Sequence, residues 1–328
     1  ANERGQIYLN WAQQLDWPDG SKATPITQPL PCPARAVRPT RLSVTEIETL
    51  IRDPYAIYAR HILKVDALDP VDMPLGGAER GSAIHNSIGA FTLKYADELP
   101  KDITAELIEI GRDHFHALMA QPEARALWWP RFARIAKWFD GWERERRQSL
   151  TRIFTEIGGA LTLDIQGAPF RLSARADRIE HCKDGRYTIL DYKTGQVPAA
   201  KQVASGLSPQ LTLEAAMVRH GAFKDIPAGG SINELVYVRL SGNDPAGEIV
   251  TLELKPGGKS KDDIISSDQA ADDALLQLKQ MLTHYADAGA PYRSHVASMW
   301  KGGFGRYNQL ARVSEWSATG SASEDNGD

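Results

Sequence analysis

One stretch restricts this chain more than any other. Leu172 to Glu180 alternates apolar and polar side chains. After Lys183-Asp184-Gly185 comes a second arm rich in β-formers, Arg186-Tyr187-Thr188-Ile189-Leu190-Asp191-Tyr192-Lys193. Two such arms around turn residues predict a β-hairpin. Loop length decides what the hairpin presents. A two-residue loop at Asp184-Gly185 would set Asp177 against Tyr192 and send the two aspartates to opposite faces. A three-residue loop, with Gly185 left-handed after a type I turn, shifts the register by one and sets Asp177 directly across from Asp191. Lys193 then shares their face, because side chains repeat every second residue. Directly opposed residues have Cβ atoms about 4.5–5.5 Å apart, and like charges so placed destabilise a sheet. A divalent cation between the carboxylates removes that cost. The three-residue turn is therefore expected, and with it a metal site of Asp177, Asp191 and Lys193.

Such a site suits phosphodiester hydrolysis. Mg²⁺ binds through one or two carboxylates plus phosphate oxygens and keeps several waters. A neighbouring lysine can orient the attacking water or neutralise developing charge. The spacing alone also fits a plain surface hairpin with Asp191 and Lys193 as solvated charges, since Asp-x-Lys is common.

Further motifs favour the metal site. Asp177 in Ala-Asp-Arg-Ile and Asp191-Tyr192-Lys193-Thr194-Gly195 resemble the two central motifs of the RecB-like branch of the PD-(D/E)XK nucleases. Upstream, Arg80-Gly81-Ser82-Ala83-Ile84-His85 is similar to that family's Gly-x-x-x-His helix, and downstream Pro209-Gln210-Leu211 to its Gln-x-x-x-Tyr helix. The flanks, Asp53-Pro54-Tyr55 and Tyr307 through Trp316, are most similar to the C-terminal nuclease domain of AddB proteins, subunits of helicase–nuclease machines that process double-strand DNA breaks. The resemblance implies a restriction-endonuclease-like α/β core, a central mixed sheet flanked by helices, with helical additions. It implies a DNA nuclease using Mg²⁺ or Mn²⁺, held by His85, Asp177, Asp191 and the Tyr192 carbonyl. Lys193 would assist the water and Gln210 would position DNA. Partners would be single-stranded DNA ends and an AddA-like helicase–nuclease subunit. The family's tyrosine is Glu214 here, a departure that puts the role of that position in doubt. Iron–sulfur members carry a cysteine before the Pro-Tyr and three more near the C-terminus. Here that position is Asp53 and the tail has no cysteine, so no cluster is expected and packing must join these segments. The competing readings are a silent DNA-binding or assembly domain of the same fold and a stand-alone RecB-like exonuclease.

At 328 residues, 42% of them hydrophobic, the chain can bury a sizeable core. Its net charge of −4 is weak evidence against nucleic-acid binding, because local patches matter more than the sum. Cys32 and Cys182, far apart, argue against a disulfide framework or a zinc site. With no long apolar run and no signal peptide, a cytoplasmic protein with no membrane partner is expected. The chain begins with Ala and reads as an excised domain.

Residues 1–40 are Pro-rich and aperiodic, a lead-in or linker with Trp11 and Trp17 as possible anchors. The nuclease domain spans 41–316, helical over 41–150, with the core sheet over 151–255 and a C-terminal helix and wrap over 265–316; residues 317–328 form a disordered tail. Ser43-Val44-Thr45-Glu46 is a capping box that starts a helix, which Pro54 breaks or restarts. A helix over 78–95 places Gly81, His85 and Gly89 on one face, where small residues leave room for a metal or a DNA backbone. Helices are predicted over 103–120 and 123–149, the latter with a core stripe of Phe132, Ile135, Phe139 and Trp142. Its Arg131, Arg134, Lys137, Arg144, Arg146 and Arg147 fit DNA phosphates or an ordinary charged face. Strands follow over 151–165, 169–180 and 186–193, then a helix over 208–220, strands over 231–240 and 247–254, and a helix over 268–288. Glu156 is a supporting residue whose register is not readable. Gly257-Gly258-Lys259-Ser260 lacks the first glycine of a phosphate loop and reads as a solvated loop. Trp300, Phe304, Tyr307 and Trp316, mixed with Arg293, Lys301, Arg306 and Arg312, fit either stacking on single-stranded DNA or a wrap over the core.

Overall fold

The computed structural model describes residues 3–16, 27–66, 76–122, 124–255, 264–294 and 305–317. Trp17, Gly257 to Ser260, Trp300, Lys301, Phe304 and the tail from 318 lie outside them. The lead-in is not wholly irregular. Glu3–Asp16 forms helix α1, because this run has no proline and is rich in helix formers; Trp11 on it is exposed. Residues 27–40 strap the far end of the fold. The Pro31 carbonyl accepts from the Tyr292 amide at 2.9 Å, and Arg38 donates to the carbonyls of Tyr285 and Ala288, each at 2.8 Å.

Strand β1 (Arg41–Ser43) leads into α2 (Val44–Arg52) through the expected capping box. The Ser43 hydroxyl accepts the Glu46 amide at 3.2 Å and a Glu46 carboxylate oxygen accepts the Ser43 amide at 2.9 Å. Pro54 restarts the chain as α3 (Pro54–Ile57), which runs on into a π-helical turn over Tyr58–Ile62. Helices α4 (Gly77–Lys94), α5 (Ile103–Met119) and α6 (Trp129–Arg147) follow. α6 begins later than its apolar stripe predicts, behind a π turn over Ala124–Trp128, because Pro130 lacks the amide an earlier start would use. Strands β2 (Leu150–Ile165), β3 (Ala168–Cys182) and β4 (Tyr187–Lys193) form the meander. After them come α7 (Ala200–Ala204), α8 (Gln210–Arg219), β5 (Ile232–Arg239), β6 (Glu248–Thr251), α9 (Ser267–Ala286) and α10 (Val313–Trp316).

Among the described residues these strands form one mixed sheet, β1-β3-β4-β5-β6 with β2 on the other edge of β3. β2 runs antiparallel along the whole of β3. The opposite edge of β3 is divided: β1 pairs in parallel with Arg171 to Ser173, and β4 pairs antiparallel with Arg178 to His181. Asp177 lies in the gap between those partners. The fold class expected from the sequence, a mixed sheet flanked by helices, is what the chain adopts.

Strand alternation divides the interior in two. Ile189, Leu235 and Tyr237 pack with α2, α8 and α9, whereas Leu190, Tyr192, Val236 and Val238 pack with α4, α5 and α6. α8 is apolar nearly all round, with Leu211 to Val218 buried, as befits a helix inside the larger core. The C-terminal segment is a wrap. Tyr307, Ala311 and Val313 pack on Tyr55 and Ala59, the Tyr307 hydroxyl donates to the Val65 carbonyl at 2.8 Å, and the Tyr55 amide donates to Arg293 O at 3.0 Å. Packing thus joins the two segments beside Asp53. Much of the basic face of α6 is spent inside the protein: Arg134 donates to Gly242 O, and Arg144, Arg146 and Arg147 pair with Asp140, Glu180 and Glu143. No described helix is long and apolar enough to cross a membrane.

Candidate active site

The hairpin takes the three-residue turn. Cys182 and Arg186 close it, the Gly185 amide donates to Cys182 O at 3.0 Å, and Gly185 is left-handed with φ +84. The register that follows, Arg178 opposite Leu190, aims Asp177 at Asp191. The strands diverge just before that pair is reached. The Tyr192 amide, instead of continuing the ladder, donates to the Asp177 carboxylate at 2.9 Å. The cleft opens at this divergence.

Asp191 is 2% exposed. One of its oxygens accepts from Gln210 Nε2 at 2.6 Å, and the other lies 2.7 Å from Lys193 Nζ without hydrogen-bond alignment. Gln210 Oε1 in turn accepts from Lys193 at 3.2 Å, so the first residue of α8 bridges both ends of Asp-x-Lys. Burial, then the charge of Asp177, pushes the Asp191 carboxyl up to about 6, although Lys193 pulls the other way. Burial lowers the Lys193 ammonium, but Asp191 and Asp177 outweigh it and the net shift is upward. Glu214, one turn along α8, is buried, keeps one oxygen without a partner, and is held well above the usual carboxylate range by burial and by Asp191 and Asp177. Where the family pattern has tyrosine, this chain has a buried acid within reach of Gln210.

α4 supplies the other wall. His85 Nε2 lies 2.6 Å from an Asp177 oxygen and Nδ1 lies 3.5 Å from Glu156 Oε1. Burial lowers the imidazole, yet Asp177, Glu156 and Asp191 together leave it raised. Among the described residues, His85, Glu156 and Asp177 lie close enough to grip one ion, their donor atoms within 4.8 Å of one another. The expected set of His85, Asp177, Asp191 and the Tyr192 carbonyl is thus only partly gathered. Asp191 and Tyr192 are adjacent, but the Asp191 oxygens are engaged by Gln210 and Lys193.

Glu156 is the residue that sequence reasoning undervalued. It stands opposite Asp177 on β2, in unbroken register but with φ +52, a left-handed conformation that costs a non-glycine residue about 1–3 kcal/mol. The small residues of α4 divide in what they leave open: Gly77, Ala78, Gly81 and Ser82 line a cleft beside His85, whereas Gly89 faces a neighbouring side chain. A Cβ at Gly89 would sit 2.9 Å from Glu156 Oε1, so that space is filled by Glu156, and one at Gly81 would sit 2.9 Å from Thr194 Oγ1 at the cleft wall.

A protein-family model for the PD-(D/E)XK nuclease superfamily matches residues 41–299. The chain belongs to that superfamily. An uncharacterized protein of Rickettsia bellii is 32% identical over 228 residues, 66% of this chain and 27% of its own length. The uncharacterized protein RC0550 of Rickettsia conorii is 35% identical over 189 residues, 56% of this chain and 23% of its own. The chain spans about a quarter of the length of these curated relatives. A crystal structure of SSO0001 aligns with 73% of this chain and 76% of its own at 13% identity and a TM-score of 0.28, too slight a likeness to argue from.

The donor set of this PD-(D/E)XK chain fits a hard divalent cation. It offers carboxylate oxygens and one imidazole, with no thiolate, and the buried Asp191 oxygen facing Lys193 lacks a proper hydrogen bond. Two facing carboxylates, one of them desolvated, are the arrangement that a cation stabilises most. A cleft of about 520 Å³ opens beside them, between α4 (Ser82, His85, Asn86) and the end of β4 (Lys193, Thr194).

Proposed function

We propose that this chain is a divalent-metal-dependent deoxyribonuclease domain that hydrolyses phosphodiester bonds of single-stranded DNA. The observation that carries the reading is the buried Asp191 carboxylate, facing Asp177 and bridged through Gln210 to Lys193 at the mouth of a cleft. His85, Asp177, Asp191 and the Tyr192 carbonyl are the proposed metal ligands. A Mg²⁺ or Mn²⁺ bound there supplies charge neutralisation for the phosphate and acidity for water. The chain's own residues do the rest. Lys193 places a cation beside the phosphate and orients the attacking water. Gln210 fixes Lys193 relative to Asp191, so the two act at one spacing. Water attacks phosphorus, the P–O bond to the leaving sugar oxygen breaks, and no enzyme-bound ester forms.

The preference for single strands rests on the resemblance to helicase–nuclease subunits, whose motor would deliver unwound strands to this site. The placement in a helicase–nuclease complex acting at double-strand breaks, beside an AddA-like subunit, rests on the motif order and flanks that resemble AddB. No motor motif stands in these residues, so ATP dependence would come from elsewhere.

The test is cleavage of end-labelled single-stranded DNA with Mg²⁺ or Mn²⁺ by the chain, Asp191→Ala and Lys193→Ala, alone and with the helicase subunit. Activity that needs the metal and disappears in both variants supports the reading. Cleavage that survives both changes sinks it, and an inactive parent in the complex favours a silent DNA-binding domain.

A further inference from the structure

The placement of Glu156 is the least explained feature of the site. Its carboxylate is held from three directions. The left-handed backbone at Glu156 sets the direction of its side chain; Gly89 makes room, since a Cβ there would lie 2.9 Å from Oε1 and 3.2 Å from Cγ; and Arg175 Nε donates to Oε2 at 2.8 Å. A strained backbone and a glycine inside a helix both work against stability, and both serve to bring one oxygen within 3.5 Å of His85 Nδ1. The other ring nitrogen, Nε2, faces Asp177 at 2.6 Å. The two lone-pair directions of an imidazole diverge, so a carboxylate aimed at Nδ1 is not aimed at an ion held through Nε2.

We infer that Glu156 is a positioning residue. It accepts the Nδ1–H of His85, fixes the ring's tautomer and angle, and so presents the Nε2 lone pair to a divalent cation shared with Asp177. Which imidazole nitrogen takes the metal is set by the hydrogen bond that the other makes. Closing 3.5 Å to a hydrogen bond needs only a small ring rotation, and the Arg175 clamp keeps Glu156 from following Nε2 into the cleft. This inference rests on the metal-dependent reading above but assigns a role to a residue outside the proposed ligand set.

The experiment is Mn²⁺ binding to the whole chain by calorimetry, with the His85 tautomer read by long-range ¹H–¹⁵N correlation under Mg²⁺. Four variants are compared: Glu156→Ala, Glu156→Gln, Gly89→Ala and Asp177→Ala. Glu156→Ala and Gly89→Ala, which remove or displace the acceptor, should bind about 10–100-fold more weakly. Glu156→Gln keeps an acceptor and should stay within a few-fold of the parent. The Nδ1–H tautomer should be single in the parent and mixed in Glu156→Ala. Parent-like affinity in folded Glu156→Ala and Gly89→Ala, checked by circular dichroism, overturns the inference. So does Glu156→Gln losing as much affinity as Asp177→Ala, which would make Glu156 a direct ligand. A parent that binds no Mn²⁺ overturns the metal reading itself and this inference with it.

Discussion

Asp191→Asn should make the metal-free protein more stable while destroying its function. Burial and the facing Asp177 hold the Asp191 carboxyl at about 6 against an ordinary value of 3.8. Each pH unit of displacement corresponds to about 1.4 kcal/mol. The ionised carboxylate therefore costs the unloaded fold roughly 3 kcal/mol at neutral pH, before relaxation. Asparagine keeps the acceptor for Gln210 Nε2, and Lys193, with 29% of its side chain exposed, can swing into the cleft when its partner disappears. The sign follows from linkage. The folded state holds the Asp191 proton more tightly than the unfolded chain does, so the cost is fully present above about pH 6 and fades as pH falls toward 4. Urea unfolding in EDTA should show the variant more stable by up to roughly 3 kcal/mol near neutrality and by almost nothing near pH 4. Adding Mn²⁺ should close most of this gap, because a cation at a hundredfold excess over its Kd stabilises the parent by about 2.7 kcal/mol and the variant by less. A variant less stable than the parent at neutral pH, or a gain that ignores pH, would refute the claim that Asp191 is a strained charge awaiting a counter-ion.

Three further outcomes are expected. Lys193→Met should lower kcat by about 10²–10³-fold while tightening Mn²⁺ binding, since a competing cation leaves Asp191; single-turnover cleavage and calorimetry read the two effects separately. At limiting metal, cleavage should rise with pH through about 6 as Asp191 ionises, and the midpoint should move lower as Mg²⁺ is raised because cation and proton compete for that carboxylate; pH–rate profiles at several Mg²⁺ concentrations show this. Arg178→Met should destabilise the chain by about 3–5 kcal/mol in urea, because it strips a buried partner from Glu143 and Glu180.

What the sequence made legible was local. The hairpin register follows from Lys183-Asp184-Gly185, where one glycine in the left-handed region sets every pair as far as Arg178 and Leu190. The capping box at Ser43 and the α6 stripe of Phe132, Ile135 and Phe139 are likewise carried by residues a few positions apart. What escaped was long-range. β1 is three residues with no pattern of its own, and it exists because Arg171 to Ser173 offer an edge more than a hundred positions away. Glu156 adopts a left-handed conformation that no glycine announces, so its facing could not be read by alternation. Gly89 reads as vacant space for a ligand because the side chain that fills it comes from a strand nearly seventy residues later. The signal that could have found both was joint: a helical glycine four residues after the histidine, and an acid on the neighbouring strand.

Two carboxylates that repel each other stay in place only if something else fixes the strands that carry them, and the far face of the hairpin does this. Arg178, next to Asp177, points into the other core, donates to Glu143 at 2.7 Å and to Glu180 at 2.9 Å, and lies over the Trp142 ring at 5.3 Å. Glu180 also meets Arg146 and Glu143 meets Arg147, so the ion network ties α6 to β3. Tyr192, next to Asp191, brings its hydroxyl to Arg178 at 3.4 Å and so draws in β4. Its burial, and to a smaller degree Glu143, raises that phenol, whereas Arg178 lowers it; the net is a group that stays protonated. Buried ion pairs of this kind contribute little net stability over apolar packing, because desolvation consumes the attraction. Their value lies in direction: a guanidinium between two carboxylates tolerates few geometries, whereas a leucine there would tolerate many. Alternation along β3 and β4 thus gives the hairpin a balanced, rigid face on one side and an unbalanced acidic face on the other. The first fixes the strands that carry the second.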